Sequence, residues 1–318
     1  MRAVTTWNVA AFVAALALST SAAWKPHHDT AATPETHAAE TATTWTDHGG
    51  TALPRAHYAR IASASLLTDH LLLALCEPER IVAFTQYSAN EHARGFRFQG
   101  KATIAATNDI EAILALHPDL LLVSSLGDPR PVARLREAGL AVYDLGEMHG
   151  MSTFVPNIRE VAAIVGAPER GERLVESFVA SMKAVAADVP PASRKRGMYL
   201  AVYGGRFFGG ATGTSYHDVI SAAGLLDAAS SYRDWPDYSS EQVLALDPDV
   251  ILTNDDMRLR ICEHAGLEGL RACASPGGIV ELDRDLLVDP GLGMLEAAQR
   301  ARRAVYGDGA ATVTMGAP

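Results

Sequence analysis

Flat aromatic and cationic side chains recur in the turn-rich stretches of this chain, and they define the chemistry open to it. Tyr87, Phe208 and Trp235, with Phe207 and Tyr238 beside them, offer apolar walls. Arg206 and Arg258, with Arg94 and Arg97, offer guanidinium groups that pair with carboxylates or phosphates. That mixture suits a large, partly planar organic ligand held in a cleft. Residues that would run a reaction show no comparable pattern. The sequence has no G-x-S-x-G, H-E-x-x-H or S-x-x-K motif. His217 and Asp218 follow Ser215 closely, but adjacent helical residues do not face one another. The expectation is a binding protein rather than an enzyme, with no intrinsic cofactor and no resident metal.

Other chemistry-bearing residues read more plainly. His27, His28, His37, His48 and His57 lie in an Ala-, Thr- and Pro-rich stretch without regular spacing, as linker histidines do. The stretch Gly204–Ser215 (GGRFFGGATGTS) lacks the GK[ST] ending of a phosphate loop and reads as a long loop lining a cleft. Cys262 and Cys273 flank a short polar segment and can pair or stay free; Cys76 closes an apolar helical run and reads as a buried thiol.

The elements that must position these side chains follow from punctuation and apolar patterning. Residues 1–23 have a positive start, an apolar run (Val9–Leu18) and a small-residue end, the pattern of a cleavable secretory signal. Residues 24–57 read as a flexible leader and 308–318 as a flexible tail. From Tyr58 strands and helices alternate, giving an N-terminal lobe over 58–150. Within it Asn108 is expected to cap a helix as part of a capping box with Glu111. Helices over 151–190 follow, including a long amphipathic one from Glu169 to about Ala187. A second alternating lobe spans 191–307. The fold class is α/β, two Rossmann-like lobes with parallel sheets joined by one long helix. A net charge of −10 disfavours nucleic acid as a partner.

Residues 111–125 (EAILALHPDLLLVSS) and 241–255 (EQVLALDPDVILTND) share seven identities in register. Each copy runs helix, Pro-Asp turn, buried strand, so the lobes are related by duplication. Ligands of parallel α/β sheets bind at the carboxyl ends of the strands, which places the aromatic and basic loops around one cleft.

These same segments, with RIASAS and RIVAFTQYS before them, resemble the periplasmic binding proteins of ABC importers for iron–siderophores, haem and cobalamin, over residues 58 to 307. The resemblance implies a periplasmic, monomeric receptor that captures a chelate between its lobes and delivers it to a permease dimer. It implies that Glu111 and Glu241 dock onto the permease. It places Tyr87 and Trp235 at ligand-lining positions, with Phe208 and Asp283 near others. Where the cobalamin receptors carry a first-lobe tryptophan, this chain has Ala105. Two further readings stay open: a zinc or manganese receptor, which needs converging histidines and carboxylates (His92 and His149 are the loop histidines), and an exported enzyme or sensor subunit on the same fold.

Overall fold

Two fully buried strands, Leu120–Val123 in one lobe and Val250–Asn254 in the other, organise the molecule. A computed structural model describes residues 43–90, 95–124, 128–287 and 290–307. The expected signal sequence, most of the expected leader, His92, Arg94 and the expected tail lie outside the described residues.

The first lobe opens with a hairpin, β1 (Thr44–Thr46) and β2 (Ala52–Pro54). Then come β3 (Ile61–Ser63), α1 (Leu66–Leu75), β4 (Ile81–Thr85) and the short α2 (Gln86–Ala89). β5 (Ala102–Ile104), α3 (Ile110–Ala115), β6 (Leu120–Val123), α4 (Arg130–Glu137) and β7 (Val142–Asp144) complete it. The five strands from β3 onward form a parallel sheet in the order β5-β4-β3-β6-β7. All four residues of β6 are buried, as expected of a strand covered by helices on both faces. The chain turns back between β3 and β6, the switch point where such sheets bind ligands.

The hairpin corrects part of the expected flexible leader. Leu53 and Asp47 are buried, and Asp47 accepts from the Thr51 amide (2.7 Å) and pairs with Arg136 of α4. The amide of His48 donates to the Asp144 carbonyl at 3.1 Å, tying the hairpin to the sheet edge. Strands of three residues give too short an alternation to register in sequence; their order comes from these contacts with α4 and β7. The helix cap is a second correction. Asp109, not Asn108, caps α3, its carboxylate accepting from the Ala112 amide at 3.2 Å.

α5 (Met151–Val165) and α6 (Pro168–Ala184) pack against one another through Phe154 and Phe178, edge to face at 5.1 Å. Seventeen residues give α6 a length of about 25 Å, enough to reach from one lobe to the other.

The second lobe comprises β8 (Arg196–Tyr203), β9 (Arg206–Gly210), α7 (Ser215–Ala222), β10 (Leu226–Asp227), β11 (Asp237–Tyr238) and α8 (Ser240–Leu246). β12 (Val250–Asn254), α9 (Arg258–Cys262), α10 (Arg271–Ala274), β13 (Ile279–Leu282), α11 (Arg284–Leu287) and α12 (Gly293–Tyr306) follow. Its main path is β11-β9-β8-β12-β13. Here the expected parallel sheet is mixed: β9 runs antiparallel to β8, and β11 antiparallel to β9. The cause is local. Gly204 and Gly205, at φ +59° and +76°, make a two-residue turn that only residues free to adopt positive φ accommodate readily. Within the supposed loop Gly204–Ser215, residues Arg206–Gly210 therefore form a hairpin strand.

One core runs continuously through both lobes. It joins Leu71 and Phe84 of the first, Leu174 and Phe178 of α6, and Ile220, Leu252 and Ala298 of the second. Each sheet has a smaller core on its other face. Lobes sharing a core through α6 cannot separate without exposing it, so large hinge opening is disfavoured.

Candidate ligand-binding cleft

The turn after β4 shows how the first lobe presents an aromatic ring. Asp69 of α1 is fully buried, yet accepts hydrogen bonds from the Thr85 amide (3.1 Å), Thr85 Oγ1 (2.5 Å) and Ser88 Oγ (2.6 Å). Thr85 caps α2 and Ser88 lies in its single turn, so one carboxylate fixes the whole corner. Tyr87 stands between these two anchors with 75% of its surface exposed. Burial pushes the Asp69 carboxyl up to about 6, against the opposing pull of its hydrogen bonds.

At the switch point a cavity of about 360 Å³ opens among small residues, Ala64, Ala106, Thr107 and Ser124. Ala105 is exposed at the head of the loop that lines it.

The lobes meet at the start of α5. Gly150 precedes that helix at φ +64° and gives it no side-chain cap. The cap comes from the other lobe: Asp218 of α7 accepts from the Met151 amide at 2.6 Å. A Cβ on Gly150 would run into that carboxylate, so the close approach needs glycine. Burial raises the Asp218 carboxyl above its ordinary range. Nearby, His149 lies 3.8 Å from both Glu147 and Asp234, and its ring is 5.9 Å from that of Trp235. Trp235, 42% exposed, therefore sits at the junction of the lobes.

The second lobe's wall is built at the β8–β9 turn. Phe208 lies under the Arg206 guanidinium, 5.3 Å from its ring centre, and Arg206 pairs with Asp237 of β11. Tyr203 adds a ring 5.9 Å from Phe208. Two further expected site residues are engaged by partners of their own. Asp283 is bound to Arg300 of α12 at 2.8 Å. The Arg258 amide donates to Glu281, which alternates to the sheet face opposite Leu282, and Arg258 is not joined to the aromatic group.

Glu111 and Glu241 are exposed in the first turns of α3 and α8. A hydrogen bond from Ser239 holds the Glu241 carboxyl below its ordinary range. Cys262 and Cys273 are joined as a disulfide between α9 and α10, with Cα atoms 5.5 Å apart, and Cys76 is a buried free thiol.

Sequence reasoning missed Tyr199, Tyr203, Tyr216 and Asn254. Tyr199 and Tyr203 are four residues apart on β8 and so share a face, a signal present in the sequence. Tyr216 stacks on Tyr199 at 3.7 Å. The Asn254 amide donates to Tyr203 Oη at 2.8 Å and to Tyr199 Oη at 3.3 Å.

A family model described as "Periplasmic binding protein" matches residues 61–307, both lobes and the helices between them. The chain belongs to the periplasmic binding protein family. This binding protein is 20% identical over 207 residues to an ABC transporter substrate-binding lipoprotein, YvrC of Bacillus subtilis. The match covers 63% of this chain and 66% of that relative, just under two thirds of its length. It is 26% identical over 204 residues to the vitamin B12-binding protein of Yersinia pestis, covering 64% of this chain and 71% of that one. Among solved structures it superposes on the periplasmic haem-binding protein RhuT of Roseiflexus sp. RS-1, with a TM-score of 0.65 and 24% identity, over 78% of this chain and 97% of that one. That likeness establishes the two-lobed fold. The family places this binding protein outside the cytoplasm.

Proposed function

We propose that this chain is the periplasmic receptor of an ABC importer, holding a metal chelate (an iron–siderophore, a corrinoid or haem) between its lobes. The observation that carries this is the makeup of the cleft: exposed aromatic rings on both lobes, Tyr87 on one and Trp235 on the other, with the half-buried Phe208 on the second lobe's wall, around loops at the strand ends. Flat apolar walls with a few polar groups suit a macrocycle or an aromatic chelate. Relatives named for vitamin B12 and haem support the ligand class. A free-metal receptor would need converging ligands, and among the described residues no group of three or more His, Cys, Asp or Glu could hold a metal ion. Glu111 and Glu241, one exposed carboxylate per lobe at equivalent helix starts, serve as the contacts to the permease.

Tryptophan-fluorescence titration of the protein with haemin, cyanocobalamin and a ferric hydroxamate tests the reading. Quenching by at least one chelate is expected, and it should shrink in Trp235→Phe. No response to any of the three would overturn the ligand class.

A further inference from the structure

The phenol group missed in the sequence carries a chemical preference. β8 brings Tyr199 and Tyr203 to one face of the second lobe's sheet, and β12 ends beside them at Asn254. Asn254 is buried, and it spends both N–H groups on the two phenol oxygens. Its own Oδ1 is buried without a hydrogen-bond partner. A buried amide in that state holds the phenols in place at a cost, and such a cost is usually found at functional positions. Because the Tyr203 oxygen accepts from Asn254, its proton is free to point outward, where 40% of the side chain is exposed. Burial raises the Tyr199 and Tyr216 phenols above their ordinary value.

A cation stands at the same sheet end. Arg284 follows β13, the neighbour of β12, and its amide donates to Asp255, the residue after Asn254, at 3.3 Å. Its guanidinium lies close enough to lower the Tyr199 and Tyr216 values in opposition to burial. It makes no ion pair among the described residues. The other cations on this wall differ: Arg206 is neutralised by Asp237 and Arg300 by Asp283 and Glu296. An O–H donor at the same sheet end as a guanidinium without an ion pair among the described residues is complementary to a carboxylate, which accepts from both.

We propose that Tyr203 and Arg284 form an anchor for a carboxylate on the ligand, so that the cleft prefers chelates bearing a free carboxylate over the same chelates with that group masked. This rests on the chelate-receptor reading above. Binding of haemin against haemin dimethyl ester, and of a cyanocobalamin monocarboxylate against cyanocobalamin, is measured for the intact protein, Tyr203→Phe and Arg284→Gln, with thermal melts to check folding. The expected result is that the intact protein favours the free acid of whichever pair it binds. Each substitution weakens the acid about tenfold, the effect of one charge-assisted hydrogen bond, and changes the masked form less than twofold. Equal losses for both forms overturn the proposal; with a changed visible spectrum of bound haemin, they make Tyr203 a ligand to the iron instead. No loss in either folded variant overturns it as well while leaving the receptor reading intact. Failure of the intact protein to bind any of the four probes overturns the anchor, and the chelate-receptor reading falls with it only if the ferric hydroxamate also fails to bind.

Discussion

The two copies of the internal repeat solve the same local problem with the same residues, then diverge where the strand meets the cleft. In each copy the helix ends in a left-handed residue, His117 at φ +51° and Asp247 at φ +41°. In each an arginine at the start of the lobe's central strand reaches back to the helix-end carbonyls: Arg60 to Leu116 and His117, Arg196 to Leu246. In each the aspartate of Pro-Asp accepts from that strand's first amides, Asp119 from Ala59 and Arg60, Asp249 from Arg196. The strands then end differently, β6 running into Ser124 and a cavity among small residues, β12 ending at Asn254 beneath two tyrosines. What duplication preserved is the machinery that stops a helix and starts a strand. What it left free to vary is the last residue of that strand and the turn beyond, where a ligand is met.

That comparison can be broken or sharpened experimentally. The largest effect is expected at Asp69, which belongs to the first lobe alone. Asp69→Ala removes the acceptor of several buried donors and should cost about 3 kcal/mol in denaturant unfolding, with Tyr87 no longer held. Its pH dependence has a definite sign. The folded-state value of about 6 lies above the unfolded one, so this group's contribution is full below about pH 4 and is lost as the pH rises through 6. Relative to Asp69→Asn, the intact protein should gain on the order of 2 kcal/mol between pH 7 and pH 4. The opposite slope would mean that the fold holds this carboxyl below its unfolded value.

A smaller effect tests the shared device itself. Asp119→Ala and Asp249→Ala should each destabilise by about 1–2 kcal/mol, since Asp119 accepts from two amides and Asp249 from one amide and the Arg271 guanidinium. Hydrogen exchange should report the loss at the start of β3 in one variant and of β8 in the other. A loss confined to one lobe would show that the two copies no longer work alike. The smallest effect on the isolated protein is expected from Glu111→Lys with Glu241→Lys. Both side chains are exposed at helix starts, so the melting temperature should barely move and chelate affinity should stay within twofold, while uptake through the permease is lost. A fall in affinity matching the fall in uptake would assign these residues to the ligand instead.

Much of the fold was legible because it is specified by neighbours in sequence. Aliphatic runs such as Leu120–Val123 mark buried strands, Pro118 and Pro248 mark helix ends, and the duplication shows itself in seven shared residues. The site was legible in part. Trp235 and Phe208 stand where the turn residues around them suggested, at the lobe junction and on the β8–β9 wall. Asp283 looks as suitable in sequence as Phe208, yet its carboxylate is bound to Arg300. Nothing local distinguishes a free charge from a neutralised one. The Gly204-Gly205 turn was readable as a hairpin signal but was obscured by the glycines that follow it.

The residues by themselves determined two related α/β lobes, the helices between them, and the repeated helix–turn–strand unit, because periodicity, capping and turn preferences act over a few residues. Tertiary structure alone decided the rest: that Asp218 of the second lobe caps the linking helix α5, that Asp47 anchors a hairpin to α4, and that Asn254 gathers two tyrosines. Each of those depends on groups between 51 and 89 residues apart, and pairing at that distance is set by how the sheets and helices pack rather than by any pattern along the chain.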